Sequence, residues 1–244
     1  MKNKFALSIL VFGSLSLSIA SCDKDDDPAN PVCRMNGMVV TPAGAPTSHV
    51  ISYDEGKMVA ITSKGSINDS RTFTYTKGGI TVVAKDGTNK ITGTDEVSLN
   101  ASGKISSITH KDGGGTITGT KSYVYNSAGQ MIMYISTPTN AAADTTTYVY
   151  NEGNVTLSTY KGANTLYTYY EDKIFADGDR IKTPQILSYG ALAWENHNLL
   201  KSIISPAGIV TEYTYQYDVA GKIIGAQVSG GMENESLTYT YECP

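Results

Sequence analysis

The segment YVYNSAGQM, at residues 123–131, decides the fold. Tyr123 and Tyr125 alternate with a valine, which places both rings on one face of an extended strand. Asn126 can bend the chain by bonding its own backbone, and Gly129 supplies the positive φ that a tight turn needs. Met131 then starts a returning strand, so the segment predicts a β-hairpin.

The same pattern recurs along the chain. It reappears at residues 52–58, 148–155 and 213–223, with weaker copies at 97–105 and 167–174, the last with Asp172 in the glycine position. Two strands of about eight to ten residues and their turns fill each repeat. We therefore predict an all-β protein, an antiparallel meander forming a large curved sheet or barrel-like structure.

One stretch breaks this rhythm. Residues 184–195 lack an Asp-Gly turn, open with Pro184, which suits a first helical turn, and carry apolar residues at short intervals. We predict a short helix near 184–195 that packs on the concave side of the sheet, with Trp194 filling the core.

The first 21 residues read as a signal peptide. Lys2 and Lys4 precede an apolar run that is too short for a membrane span and ends at Ile19-Ala20-Ser21 before Cys22. This ending resembles a lipobox, which implies that Cys22 is lipidated; the alternative is ordinary cleavage beside an incidental cysteine. Residues 22–32 form an acidic, proline-containing leash, and residues 33–244 form a single β domain.

Two resemblances follow from these motifs. The hairpin unit is similar to the YD repeat of Rhs-type shell proteins, although this chain is far shorter. The lipobox, the acidic leash, the Tyr-Asp-Gly hairpins and the final Tyr239-Thr240-Tyr241 strand near Cys243 resemble a family of Bacteroidetes lipoproteins with a porin-like β fold. That resemblance implies a lipid-anchored cell-envelope protein at the outer membrane, facing outward. It carries over no functional residues.

The net charge argues against one class of partner, and the cysteines suggest a covalent link between the ends of the domain. Without residues 1–21 the net charge is 17 − 23 = −6, which argues against nucleic acid. Cys33 and Cys243, at the two ends of the domain, are candidates for a disulfide in an oxidising envelope, with two free thiols as the alternative.

The sequence offers little chemistry. His49, His110 and His197 share no metal-ligand spacing, and we expect them in exposed loops. Ser158 and Lys161 match Ser-Xaa-Xaa-Lys but lie in a predicted strand-to-turn segment rather than a helix. We expect no cofactor, no metal site and no enzymatic activity.

Two functions remain open. The paired tyrosines could form a ligand platform for glycan or another extracellular ligand, or they could stack as structure in an accessory protein that works through protein partners. Rings open in a groove favour binding, and rings buried between strands favour a scaffold. The candidate platform residues are Tyr123, Tyr125, Tyr148, Tyr150, Tyr167, Tyr169, Tyr213 and Tyr215.

Overall fold

The computed structural model describes residues 33–42, 44–231 and 234–243. These residues belong to one compact unit, Cys33–Cys243. The predicted signal peptide, Cys22 and the leash lie outside the described residues.

The described chain forms sixteen strands and one helix. Each strand pairs antiparallel with the next, and β1 pairs with β16, so the sheet is a closed barrel. The predicted all-β meander is confirmed in its barrel form. The elements are β1 Arg34–Pro42, β2 Thr47–Asp54, β3 Lys57–Gly65, β4 Asp69–Thr76, β5 Gly79–Asp86, β6 Ile91–Leu99, β7 Ile105–Asp112, β8 Ile117–Tyr125, β9 Met131–Pro138, β10 Asp144–Asn151, β11 Asn154–Tyr160, β12 Ala163–Ile174, α1 Lys182–Tyr189, β13 Asn198–Ile204, β14 Val210–Tyr217, β15 Ile223–Gly230 and β16 Glu235–Glu242.

The hairpin turns follow the predicted chemistry. Between β8 and β9, the Asn126 side-chain oxygen accepts hydrogen bonds from the backbone of Ala128 and Gln130, both at 3.0 Å, and Gly129 takes φ 73°. The side chain thus substitutes for backbone partners that the turn leaves unpaired. The same five-residue turn begins at Asp86, Asn100, Asp112 and Asp218.

One weak copy of the repeat is not a hairpin. Residues 167–174 continue as strand to Ile174, the end of β12, and the chain then enters the long connection to β13. Asp172 stands where the other copies carry a glycine, so the residue that most easily takes positive φ is missing.

The two ends of the barrel differ in what they carry. We call one the disulfide end, because Cys33 and Cys243 are joined there, and the other the far end. The turn after every even-numbered strand up to β10, and the turn after β14, lies at the disulfide end, as does the β12–β13 connection.

Strand alternation separates an apolar lumen from a polar outer wall. In β10 the tyrosines at 148 and 150 face inward, while Thr147 and Val149 are exposed. Lumen-facing Ile108 and Val155 have no exposed surface. The outer wall is rich in exposed threonines, including Thr62, Thr72, Thr74, Thr145, Thr147, Thr214, Thr238 and Thr240.

Helix α1 confirms the predicted helix with different bounds. It spans Lys182–Tyr189 and includes Pro184 in its first turn. Gly190 ends it by taking the left-handed conformation at φ 70° and donating its backbone N–H to the Ile186 carbonyl, so residues 190–195 are not helical. No helix in the described part of the chain has the length and apolarity needed to cross a bilayer.

Candidate ligand-binding site

The connection between β12 and β13, residues 175–197, fills the barrel lumen; we call it the plug. It leaves and rejoins the wall at the disulfide end, where the Phe175 N–H donates to the His197 carbonyl at 3.0 Å. Its contacts reach opposite walls: Lys121 of β8 donates to the Tyr189 hydroxyl at 3.0 Å, and Tyr239 of β16 donates to the Gly178 carbonyl at 3.0 Å. The plug therefore crosses the lumen.

A buried carboxylate fixes the start of the plug. Asp179 has no exposed surface, and its Oδ1 accepts the N–H groups of Ile181 at 2.7 Å and Lys182 at 3.1 Å, just before α1. Its Oδ2 accepts the N–H of Leu200 in β13 at 3.1 Å. Burial raises the pKa of this carboxyl, and the three backbone donors oppose that rise. Asp179 thus joins the helix start to the wall.

A glutamine amide holds the returning half of the plug. Gln185 Oε1 accepts from the backbone of Ala193 at 2.8 Å and Trp194 at 3.2 Å, and its Nε2 donates to the Ile181 and Trp194 carbonyls. The Leu192 carbonyl then accepts the Ile105 N–H of β7 at 2.9 Å. Both amide atoms of Gln185 are therefore fully engaged.

Tyrosines nearer the disulfide end bond the backbone of the preceding strand. The Tyr215 hydroxyl of β14 donates to the Leu200 carbonyl of β13 at 3.0 Å, and the Tyr169 hydroxyl of β12 donates to the Val155 carbonyl of β11 at 2.8 Å. Each bond ties a strand to the one before it, and each acceptor residue is a buried aliphatic within the first three residues of its strand. We call these the lower-tier tyrosines: Tyr53, Tyr125, Tyr169, Tyr215 and Tyr241.

Three other lumen tyrosines lie one step further from that end and behave differently. The hydroxyls of Tyr123, Tyr134 and Tyr148, the upper-tier tyrosines, have no hydrogen-bond partner in the described part of the chain, yet none is completely closed off from solvent. Burial first, then the nearby hydroxyls of Tyr189, Tyr134, Tyr125 and Tyr148, raise the pKa of Tyr123. These hydroxyls are available to something other than protein.

The upper-tier tyrosines line a cavity of ≈ 170 Å³ between the plug and the wall, which we call the aromatic pocket. The Tyr148 and Trp194 ring centroids are 5.3 Å apart, and those of Tyr123 and Tyr134 are 5.4 Å apart. Its lining is completed by Ile105, Met131, Gln185, Tyr189 and Ala193.

A cation lies beside this pocket. Lys121 Nζ donates to the Tyr189 hydroxyl at 3.0 Å and is 5.5 Å from the centroid of that ring. Burial acts to lower the pKa of Lys121, but the Tyr189 hydrogen bond and the nearby Tyr134 and Asp95 outweigh it and raise the pKa above its ordinary value. The ammonium therefore stays charged.

The sequence-predicted platform residues all belong to the inner wall. Tyr125, Tyr169 and Tyr215 are lower-tier tyrosines, while Tyr123 and Tyr148 line the aromatic pocket. The rings form no open platform on the outer surface. Of the others, Tyr167 bonds Ser158 and packs on Trp194, Tyr213 is buried beside a second cavity of ≈ 280 Å³, and burial raises the pKa of Tyr150 to about 12.

The expected loop positions of two histidines are wrong. His49 lies in β2 and bonds Ser63, and His110 lies in β7 and bonds Asp95; both are half-buried, because their strand positions alternate with outward-facing residues. Only His197 is exposed, at the end of the plug. Among the described residues, no three His, Cys, Asp or Glu side chains are grouped as metal ligands.

Sequence reasoning missed Asp179, Gln185 and Lys121. Asp179 belongs to the Asp-Gly-Asp segment at 177–179, just before the helix, and such a segment is by itself typical of a turn. Neither Gln185 nor Lys121 stands in any motif, because their roles depend on contacts between distant segments.

Comparison with known proteins supports the fold. The chain resembles the crystal structure of a porin-like protein from Bacteroides uniformis, with 17% identity, a TM-score of 0.63, and coverage of 85% of this chain and 98% of that one. The fold is therefore porin-like. The Photorhabdus luminescens Tc holotoxin pore also matches, at 13% identity and a TM-score of 0.28, over 82% of this chain and 11% of that one. No protein-family model and no curated protein matches the chain.

Proposed function

We propose that the protein is a lipid-anchored envelope barrel that binds a small extracellular molecule in its lumen. One observation carries this proposal: the three tyrosines that line the aromatic pocket beside Trp194 have hydroxyls that keep contact with solvent and have no hydrogen-bond partner in the described part of the chain. Buried polar groups are normally paired, as the lower-tier hydroxyls of the same barrel are. An unpaired set around a cavity is the arrangement expected of a binding site.

The pocket supports binding rather than catalysis. Its lining contains aromatic, aliphatic and amide side chains and no carboxylate or imidazole that could move a proton. Its volume suits one ring of a ligand, so an extended glycan could enter only with a terminal residue.

Anchoring at Cys22 rests on the lipobox, and the barrel fits that role. Residues 23–32 separate Cys22 from Cys33 and can span at most roughly 35 Å. A transmembrane barrel carries an apolar outer band, whereas exposed threonines are spread over this outer wall. We propose that the barrel stands in water at the outward face of the outer membrane, held by acyl chains on one cysteine.

The only tryptophan of the chain, Trp194, lies in the pocket, so its fluorescence tests the binding proposal directly. The mature chain with Cys22→Ser is screened against monosaccharides, glycans, aromatic acids and aromatic amines. We expect at least one ring-sized class to change Trp194 emission and raise the melting temperature, and Tyr148→Leu to abolish that response. Tyr217→Phe, at an exposed tyrosine, is the control. A screen with no response from any class refutes a binding role.

Metabolic labelling tests the anchor. Radiolabelled palmitate should enter the expressed wild-type protein and not Cys22→Ala. Labelling that survives this substitution, or is absent from both proteins, contradicts the anchor.

A second candidate, an accessory role through protein partners, is favoured by the outer wall. Cross-strand register aligns five aliphatic side chains outward on adjacent strands β10 to β14, in a row that interrupts the polar surface. A photo-crosslinker at Leu166 should then capture a discrete partner in cells that one at Thr74, on the opposite wall, does not capture. Identical patterns from both positions contradict this role. The row is Val149, Leu157, Leu166, Ile204 and Val210.

A further inference from the structure

We infer that the aromatic pocket takes a small aromatic carboxylic acid, with its ring between the plug and the upper-tier tyrosines and its carboxylate toward Lys121. This inference rests on the proposed binding function and names the ligand class of the same site. The size of the pocket, the chemistry of its walls and the charge beside it each favour this class.

The volume sets the size of the ligand. A cavity of about 150 Å³ holds one benzene molecule. The aromatic pocket, at ≈ 170 Å³, therefore has room for one six-membered ring and little more inside the wall. Because the upper-tier hydroxyls keep contact with solvent, a substituent on the ring can point outward.

The walls select a flat apolar ring. Tyr148 and Trp194 pack together at 5.3 Å and Tyr123 and Tyr134 at 5.4 Å, so π-faces and ring edges bound the space. Ile105, Met131 and Ala193 supply the aliphatic part of the lining, and all three are buried.

The free polar groups select a negative charge. Gln185 lines the pocket, but both of its amide atoms already bond backbone groups. The polar groups still available to a ligand are three tyrosine hydroxyls, which can donate hydrogen bonds, and the Lys121 ammonium, which bonds the Tyr189 hydroxyl at 3.0 Å. No carboxylate lies within ion-pair distance of Lys121 in the described ranges, and the nearby Asp95 is bonded to His110.

The same groups disfavour other ligand classes. An aromatic cage can attract a cation, but Lys121 repels a second positive charge beside it. A neutral sugar ring carries several hydroxyls, and its only unengaged partners in the pocket lining would be the tyrosine hydroxyls, because no carboxylate lines the pocket and the Gln185 amide is already bonded.

Titration of Trp194 fluorescence with benzoate tests the inference, with the neutral isostere benzamide, the cation benzylamine and methyl glucoside as comparison ligands. The protein is the mature chain with Cys22→Ser. We expect benzoate to bind at least about tenfold more tightly than benzamide, because charge-assisted hydrogen bonds are roughly twice as strong as neutral ones. Benzylamine and methyl glucoside should not bind.

Substitution at the cation separates charge from shape. Lys121→Met should weaken benzoate binding about tenfold and leave benzamide unchanged, while Lys121→Arg should retain most of the benzoate affinity. Lys201→Met is the matched control, since Lys201 lies over the Tyr170 ring and outside the pocket. An unchanged melting temperature shows that each variant is folded. If Lys121→Met is not folded, two other results test the inference: the benzoate affinity of Lys121→Arg relative to wild type, and the order of the four ligand affinities in the wild-type protein.

Three results overturn the inference. Benzamide or benzylamine binding as well as benzoate refutes the selection of an anion. Methyl glucoside binding without benzoate refutes the ligand class while the proposed binding function survives. Silence from these four ligands also refutes the class, and only silence across the wider screen refutes the binding function itself.

Discussion

Removing the buried carboxylate of Asp179 should destabilise the barrel more than any other single change in the plug. Asp179→Ala leaves the N–H groups of Ile181, Lys182 and Leu200 without their acceptor. An unsatisfied buried donor costs about 1–3 kcal/mol. Three of them give a loss of about 4 kcal/mol in the free energy of unfolding, taking the lower part of the range because water can enter the vacated space. Domains of this kind are stable by about 5–15 kcal/mol in all.

The assay is urea unfolding followed by Trp194 fluorescence and by far-ultraviolet circular dichroism, which report the plug and the sheet separately. Asp177→Ala is the matched control, two residues away. The Asp177 side chain is 51% exposed and pairs with Lys182 at 3.0 Å, a contact worth less than about 1 kcal/mol. If both substitutions lower the free energy of unfolding by the same small amount, the argument that Asp179 anchors the plug is refuted.

Three further predictions follow from other parts of the barrel. Gly190→Ala should lower the melting temperature more than Gly103→Ala. Both glycines have positive φ (70° and 75°), but only at Gly190 would the added Cβ lie 2.8 Å from a tyrosine hydroxyl. Equal losses in melting temperature would contradict the packing at the helix end. Cys33→Ser should cost about 5 kcal/mol of unfolding free energy, since the lost bond to Cys243 closes a loop of 210 residues, and a change below about 1 kcal/mol would contradict it. Burial raises the pKa of Tyr150 to about 12, so the folded state keeps a proton that the unfolded state loses near pH 10. The contribution of this group to stability should be complete below pH 10 and fall toward pH 12, as followed by tyrosinate absorbance and circular dichroism. Full ionisation of the tyrosines near pH 10 with the fold intact would contradict this.

Local features of the sequence predict most of the wall. Asn126 and Gly129 act within five residues, so the hairpin they form can be inferred without knowing the rest of the chain. The alternation of Tyr148 and Tyr150 with Thr147 and Val149 likewise identifies two faces, because a strand repeats every two residues.

The closure and the plug depend on contacts that no local pattern contains. Pairing of β1 with β16 joins residues at opposite ends of the domain, from Arg34 with Glu242 to Pro42 with Glu235. A curved sheet and a closed barrel carry the same hairpin repeats, so the sequence leaves both open. The plug reaches the wall through Asp179, whose acceptor role depends on Leu200 in a later strand.

The candidate site was within reach of sequence reasoning only in part. The sequence identified Tyr123 and Tyr148 as candidate platform residues and Trp194 as core filling, but the distinction between the two tiers depends on strand register. The Tyr125 hydroxyl donates a hydrogen bond to the Ile105 carbonyl, whereas the Tyr123 hydroxyl, on the same strand and separated by one residue, has no partner among the described residues. Which tyrosines keep a free hydroxyl is therefore a property of the assembled barrel.

Hydrogen exchange resolved to single amides tests most directly whether the plug is a fixed part of the barrel. The N–H groups of Ile105, Val155 and Leu200 bond plug acceptors, namely the Leu192 carbonyl, the Asn196 side chain and the Asp179 side chain. We predict that these three amides exchange as slowly as the strand-to-strand amides of the wall, with the same dependence on denaturant. Exchange as fast as that of Gly114, in an exposed turn, would mean that the plug leaves the lumen freely and that no fixed pocket exists.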